Sequence, residues 1–416
     1  MKTTHLQALA DEAPGADGHR QILRLAVNAA ARARNMAAPW PITLPRDAAD
    51  RATKILNDAG DLATWGAVEL GTLREELLAG ADRSAAGAWY TPAEIAHPLT
   101  QAALSEITDL ALDDDPRDVL AVTVLDPACG GGVFLVAAAR VLATAYAGLL
   151  YGTQEPAPLT VRTVMADVMA CCVHGIDTDP VAVDVARSAC WLETSGMVPI
   201  TWLDRNIIVG DALTGTRPPA LTDRTGPLAV VGNPPYRAQA AGAAPWLEAR
   251  RPRPGQERAA DELWRPSMDE FRTPGQGRRE YVLANLYLYF WRWAVWAAFE
   301  ARMGPAAIAY VTPNAWLKGS AFEGMRAALR AAADRGFIVD LTPEGKAPPG
   351  RTRIFPCVTL PVCAAVFSRR AGPAPQTAAT VRYADVHGTR DEKFHQFRQL
   401  LTPRQAPTHP SPRSTP

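Results

Sequence analysis

The residues best equipped for chemistry in this sequence are Asn233-Pro234-Pro235-Tyr236, which follow the apolar run Leu228 to Val231 and a glycine. Two successive prolines fix the backbone and remove two N–H donors, so the Pro234 carbonyl faces outward as an acceptor beside the side-chain oxygen of Asn233. Two acceptors suit one amino group. An exocyclic amine on an aromatic base is a poor nucleophile because its lone pair is delocalised into the ring. Holding both of its hydrogens favours a pyramidal nitrogen whose lone pair points at an electrophile. Tyr236 adds a face on which a base stacks, a contact worth ~1–3 kcal/mol. The plainer reading is a Pro-Pro loop with a buried tyrosine.

A second group of residues offers a seat for whatever carries the electrophile. Val122 to Leu125 runs into Asp126-Pro127-Ala128-Cys129-Gly130-Gly131-Gly132 and then into the helix-like stretch Val133 to Ala147. A glycine-rich turn between strand and helix lets a ligand approach the backbone closely and presents free N–H groups. It lacks the Lys-Ser/Thr pair of a phosphate loop and the Gly-x-Gly-x-x-Gly spacing of a dinucleotide site. Alone, it is also an ordinary β-to-α turn. Asp126 leads the turn and suits a positively charged amino group. Asp177 ends the second strand, where a carboxylate accepts both hydroxyls of a ribose, and Asp211 ends the third, placed to accept from an adenine amino group. Each acid singly is commonly a turn or helix cap. Three at successive strand ends read as a nucleoside site with a cationic substituent, which is S-adenosylmethionine.

Positioning these groups calls for a parallel sheet. From about Ala88 the chain alternates short β-type runs with longer helical runs, the pattern of a sheet covered on both faces. The spacing predicts seven strands, at Val119 to Leu125, Cys172 to Ile176, Ile207 to Val209, Leu228 to Val231, Ala307 to Val311, Phe337 to Leu341 and Leu360 to Phe367. Ahead of them Gly18 to Leu78 is helical, with Ile22, Leu23, Leu25, Ala26 and Ala29 at three and four spacing and a break from Pro39 to Pro45. The tail Thr402 to Pro416, rich in Pro, Ser, Thr and Arg, has little to bury and is expected to be disordered.

Composition sets outer bounds. The 416 residues hold 43 Lys and Arg against 43 Asp and Glu, which excludes a uniformly basic nucleic-acid coat. A hydrophobic share of 48% with 21% charge supports a buried core, and at roughly 150 residues per domain the length suits two or three domains. Arg140, Arg292 and Arg302 interrupt the longest apolar runs short of the ~18 residues of a bilayer span, and Met1 to Ala10 has no apolar targeting core. A cytoplasmic protein is expected. The cysteines at 129, 171, 172, 190, 357 and 363 form neither a disulfide framework nor a zinc pattern, so no metal is expected.

With these motifs in hand, the chain resembles DNA adenine-N6 methyltransferases of the gamma arrangement, in which cofactor motifs precede Asn-Pro-Pro-Tyr and target recognition lies C-terminal. The resemblance covers about Ala88 to Arg370. Trp89-Tyr90-Thr91-Pro92 resembles the Tyr-Thr-Pro element that closes over the methionine part of the cofactor. Asn285-Leu286-Tyr287 and Val311-Thr312-Pro313-Asn314-Ala315-Trp316-Leu317 resemble later family segments, and Ile354-Phe355-Pro356 resembles the element whose phenylalanine packs on a flipped adenine. Val381 to Phe397 resembles the end of the methylase core in large single-chain restriction-modification and phage-defence enzymes.

The resemblance implies an α/β fold, a seven-stranded Rossmann-like methyltransferase sheet with helices on both faces after a small helical segment. It implies divisions at 1–84 (helical), 85–370 (methyltransferase), 371–401 (mixed extension) and 402–416 (tail). S-adenosyl-L-methionine would be held by Tyr90, Thr91, Pro92, Asp126, Ala128, Gly130, Gly132, Asp177 and Asp211. Asn233, Pro234, Pro235 and Tyr236 would be catalytic on the N6 amine of an adenine that leaves a DNA partner and is flipped between Tyr236 and Phe355 of this chain. Rival readings are methylation of RNA or of a protein glutamine, or a non-catalytic methylase-like DNA-binding subunit.

Two departures from the family pattern stand out. The connection around Tyr151 to Val168 is long, placing Asp177 51 residues after Asp126 and weakening the ribose assignment. Arg237 to Glu280 is an arginine-rich insertion, with Arg250-Arg251-Pro252-Arg253, Arg258, Arg265, Arg272 and Arg278-Arg279 offset by Glu257, Asp261, Glu262, Asp269 and Glu270. It is either a loop that follows the phosphate backbone or a solvated surface. Pro356-Cys357 is out of place for a cytosine-methylase nucleophile. The aromatic run Tyr287, Tyr289, Phe290, Trp291, Trp293, Trp296 and Phe299 reads as helical core packing. Only about 45 residues follow Arg370, so DNA recognition is expected to need a separate specificity subunit or a missing C-terminal recognition domain.

Overall fold

The computed structural model describes residues 2–12, 17–78, 91–108, 115–216, 221, 226–249, 266–273, 275, 277–346, 352–355 and 358–402. Trp89 and Tyr90, the arginines at 250, 251, 253, 258 and 265, the acids at 257, 261 and 262, Pro356, Cys357 and the tail beyond Thr402 lie outside the described residues. In chain order the helices are α1 (Lys2–Ala10), α2 (Gly18–Ala33), α3 (Arg46–Asn57), α4 (Ala67–Leu77), α5 (Ala93–Thr108), α6 (Pro116–Ala121), α7 (Val133–Tyr151), α8 (Pro158–Cys172), α9 (Pro180–Glu193), α10 (Leu286–Val295), α11 (Glu323–Ala332) and α12 (Arg390–Leu401). The strands are β1 (Thr123–Asp126), β2 (Val173–Asp177), β3 (Ile207–Val209), β4 (Leu228–Gly232), β5 (Ala306–Pro313), β6 (Arg335–Asp340), β7 (Val362–Arg369) and β8 (Thr380–Asp385).

The α/β class is as expected, with one more strand. The sheet order is β3-β2-β1-β4-β5-β7-β6-β8, and β7 alone runs against its neighbours. Strands β1, β4, β5 and β7 are buried along their whole length because helices cover both faces. Alternate residues therefore feed two cores. Val124, Ala229, Val231 and Ala309 join α5, α7, α8 and the N-terminal helices on one face. Leu125, Val230, Ile308 and Tyr310 join α10 and α11 on the other. The N-terminal helices dock on the sheet's own α9 through Asp184, which is 5% exposed and accepts from Arg20 Nε at 2.6 Å and Arg24 Nε at 2.9 Å.

Three expectations need correction. The first strand starts at Thr123, because Asp115 caps the N-terminus of α6, accepting from the Arg117 N–H, and Pro116 opens the helix, so Val119 to Ala121 are helical. The long connection before the second strand is mostly α8, opened by Pro158 after Gly152 ends α7 in a left-handed conformation. Its length does not displace Asp177, because β2 pairs with β1 in a register that sets Asp126 against Gly175. The eighth strand sits at the sheet edge with most of its residues exposed or half-exposed, which removes the apolar alternation that marks the others. Helix α7 is, by length and composition, apolar enough to cross a membrane. Here it buries Phe134, Leu135, Leu142 and Ala143 in the core, while Arg140 pairs with Glu193.

The aromatic run does pack as core. Trp291 is fully buried, with ring centroids 5.2 Å from Tyr310, 5.6 Å from Trp316 and 6.0 Å from Phe367. Replacing it with alanine removes the ring that joins α10 to β5 and β7. Trp291→Ala is expected to lower unfolding stability by about 3–5 kcal/mol in chemical denaturation. A loss below about 1 kcal/mol would show that this cluster closes without it.

Candidate active site

In this topology the carboxyl ends of β1, β2, β3 and β4 come out on one rim, where open α/β sheets bind ligands. A cleft of about 380 Å³ lies there. Its floor is the turn after β1, through Pro127, Ala128, Gly130 and Gly131. One side is Asp177 to Asp179 and Gly210 to Leu213, and the other is Asn233, Pro235 and Arg237 with Leu286 and Phe290. The volume falls in the range of pockets for small organic ligands.

The strand-end acids share one local geometry. Oδ1 of Asp126 accepts the Ala128 N–H at 3.0 Å, Oδ1 of Asp177 the Asp179 N–H at 2.9 Å, and Oδ1 of Asp211 the Leu213 N–H at 2.8 Å. Each carboxylate thus caps its own loop two residues on, the turn role common for such acids. Oδ2 of Asp177 reaches further and accepts the Gly130 N–H at 2.9 Å, tying the second strand end to the glycine turn. Oδ2 of Asp211 makes no hydrogen bond among the described residues, and the side chain borders the cleft.

The sequence-derived cofactor residues do not all take the same position. Ala128, Gly130, Asp177 and Asp211 line the cleft. Asp126 is 2% exposed and sits below the floor. Gly130 has φ +51°, and a Cβ there would point into open space, so the backbone is presented to the cleft. Gly132 serves packing: at φ +82°, a Cβ would lie 3.0 Å from the Cα of Ala186 in α9. Thr91 and Pro92 are buried at the start of α5, away from the lining, and Tyr90 lies outside the described residues.

The Asn-Pro-Pro-Tyr motif leaves the end of β4 at Gly232. Asn233 and Pro235 border the cleft and Pro234 is buried. The Tyr236 hydroxyl donates to Oδ1 of Asn233 and lies 3.4 Å from the Val311 carbonyl. Burial holds the Tyr236 phenol protonated, its pKa pushed well above the ordinary value. The neighbouring β5 end is stapled: Trp291 and Trp316 both donate to Thr312 Oγ1 at 3.3 Å, and Asn314 Nδ2 donates to Asp340 at 3.1 Å. Tyr236 packs against the core and does not border the cleft, and Phe355, 5% exposed in the core with Phe394 and Phe397, does not border it either.

Several lining residues had no signal in the motifs. Gly71, Arg74 and Glu75 reach the cleft from α4, and Arg74 pairs with Asp179. Leu286 and Phe290, one turn apart on α10, supply an apolar wall. Their four-residue spacing was visible, but which face of an apolar helix meets the cleft depends on tertiary packing.

Electrostatically the rim favours a cation. Burial, reinforced by nearby Asp177, pushes the Asp126 carboxyl up to about 8 despite the Ala128 N–H. Asp177 is raised in the same direction by burial, opposed by the Asp179 and Gly130 N–H groups and by Arg74. Two carboxyls in low dielectric are eased by positive charge. The donor set, acids around a backbone cradle beside an apolar wall, fits a nucleoside bearing an ammonium and a sulfonium.

Residues 70–254 match the family model described as N-6 DNA methylase. The match bears out the resemblance read from the motif order. No curated protein matches the chain. Among solved structures, the chain is similar to the protein of a DrdV–DNA complex at 16% identity and TM-score 0.62, covering 95% of this chain and 41% of that one. It is also similar to two Type ISP restriction-modification enzymes bound to DNA or a DNA mimic. These are LlaBIII (14% identity, TM-score 0.58, 96% and 28% covered) and a nuclease-deletion mutant of LlaGI (15%, 0.57, 92% and 37%). These likenesses concern the fold, and the chain spans less than half the length of each.

The raised Asp126 carboxyl makes stability depend on pH. The folded protein keeps a proton there over a range in which the unfolded chain, with an ordinary carboxyl near 4, has lost it. Relative to Asp126→Asn, wild-type stability is therefore highest below pH about 4 and falls as pH rises towards about 8, by up to about 1.4 kcal/mol per pH unit. Denaturation of both proteins across this range measures the gap. A gap independent of pH would show a carboxyl that titrates normally.

Proposed function

We infer that this chain binds S-adenosyl-L-methionine in the rim cleft and methylates the N6 amine of adenine in DNA, as part of a restriction-modification or phage-defence system. The observation that carries this reading is that Asn233 and Pro235 border the same cleft as Gly130, Asp177 and Asp211. Donor and acceptor sites are one space. Bound there, the cofactor supplies an electrophilic methyl group on a sulfonium. Asp177 would hold the ribose hydroxyls, Asp211 the adenine amino group, and Phe290 and Leu213 the apolar faces. Asp126, protonated in the empty site, would ionise beneath the turn beside the ammonium.

The target adenine has to leave the duplex, since its amine is paired and stacked within it. Tyr236 offers the face against which it rests. Asn233 Oδ1 and the Pro234 carbonyl accept the two N6 hydrogens and direct the nitrogen lone pair into the cleft. With the donor bound, in-line attack would form the nitrogen–carbon bond as its sulfur–carbon bond broke, and the nitrogen would release one proton to solvent. Positioning supplies most of the rate, without a covalent enzyme intermediate. A partner for sequence reading, either a specificity subunit or a recognition region beyond this stretch, agrees with the span of the similar chains. Work on DNA implies a cytoplasmic place.

The test is incubation with labelled S-adenosylmethionine and DNA, then mapping of the modified base. N6-methyladenine is expected, and Asn233→Ala should lose at least about a hundredfold in turnover while cofactor affinity changes less than about threefold. Label in cytosine, in RNA alone or in a protein glutamine would overturn the substrate assignment.

A further inference from the structure

The side-chain amide of Asn233 is held at both ends. Its Nδ2 donates to Oγ1 of Thr91 at 2.9 Å, and its Oδ1 accepts from the Tyr236 hydroxyl. Thr91 lies 142 residues away at the start of α5 and is 4% exposed. Its contact with Asn233 is made by the packing of α5 against β4 and β5. Thr91 does not border the cleft.

An asparagine that must accept hydrogens has a problem that a carboxylate lacks. Rotated by half a turn, the amide offers an NH₂ group where an oxygen is needed, and meets the substrate amine donor to donor. The two ends have nearly the same shape, so packing alone does not distinguish them. A hydroxyl donates as well as accepts, so what Thr91 and the Tyr236 hydroxyl fix together is the place and plane of the carboxamide, with Oδ1 on the Tyr236 side in this structure. Without Thr91, Nδ2 loses its partner and the carboxamide is held at one end only.

We propose that Thr91 is a positioning residue: by accepting from Nδ2 it holds the Asn233 carboxamide in the place and plane from which Oδ1 meets the substrate amine, and the Tyr236 hydroxyl satisfies that oxygen until the amine displaces it. The proposal rests on the methyl-transfer reading of the site, but not on the identity of the substrate, because any planar amine needs the same acceptor. It gives the Tyr-Thr-Pro element a task beyond the cofactor, since α5 then sets the aim of a group on β4.

Thr91→Val keeps the shape and removes the acceptor, whereas Thr91→Ser keeps the acceptor. Steady-state methylation should show kcat reduced at least about tenfold in Thr91→Val with KM for S-adenosylmethionine within about threefold, and Thr91→Ser within about threefold of wild type in both. A second readout needs no turnover. In protein labelled with ¹⁵N-asparagine, the Asn233 carboxamide protons, assigned by their loss in Asn233→Asp, should exchange at least about tenfold faster in Thr91→Val than in wild type or Thr91→Ser. An unchanged kcat in Thr91→Val, a loss confined to cofactor KM, or equal losses in both variants would overturn the proposal. If wild-type protein methylated nothing, the functional reading would fail and the exchange rates would decide this one, with equal rates in all three proteins refuting it.

Discussion

Asp126 and Gly232 approach each other so closely at the centre of the sheet that the rest of the site is built around them. Parallel pairing of β1 with β4 sets Leu125 beside Val230 and carries the Asp126 carboxylate past Gly232, which has φ +150°. A Cβ on Gly232 would lie 2.7 Å from Asp126 Oδ1. Only glycine fits that position in that conformation. The approach brings the last residue of one strand against the residue before Asn233, so the glycine turn after β1 and the Asn-Pro-Pro-Tyr loop after β4 share one rim. The chain reaches this arrangement by running outward through β2 and β3 and returning to β4 beside β1, which is the switch point where such sheets open a crevice.

Around that contact the remaining elements act as clamps. Gly131 lies against Gly71 of α4, where a Cβ would stand 3.3 Å from the Gly71 Cα, so the N-terminal helices approach the cofactor turn backbone to backbone. Arg74 of the same helix pairs with Asp179 and partly offsets the acids at the end of β2. On the other side, Thr312 receives two indole N–H groups and Asp340 receives Asn314, which holds the β5 end beneath Tyr236. The C-terminal helix α12 is tied in by Lys393, fully buried, which donates to the Leu341 carbonyl and pairs with Glu344. Asn233 and its neighbours therefore rest on elements from both faces of the sheet, which the proposed function would need for catalysis by positioning.

Much of this was legible in the residues. The order of glycine turn, strand-end acids and Asn-Pro-Pro-Tyr implied the class of fold, and Ala128, Gly130, Asp177, Asp211, Asn233 and Pro235 do come together. What escaped did so for identifiable reasons. Val119 was drawn into a strand by its apolar neighbours, although Asp115-Pro116 is a helix start. Strand β8 is an exposed edge, and Thr-Val-Arg-Tyr-Ala-Asp has no core face to reveal it. Gly132 looked like part of a ligand cradle, but its close neighbour is Ala186, a contact that exists only after α9 has packed. Phe355 matched an element by order, yet order does not specify which way a loop side chain turns. Arg74 and the Thr91–Asn233 bond join segments far apart in sequence, and single residues carry no mark of such partners.

On the proposed function, one cleft would hold the methyl donor with its reactive end against Asn233. The most direct measurement is a crystal structure of the chain with S-adenosylhomocysteine. The ribose is expected on Asp177, the adenine between Asp211 and Phe290, and the sulfur on the Asn233 side of the Gly130 turn. A ligand bound elsewhere on the molecule, or seated in the cleft with its sulfur turned away from Asn233, would contradict it.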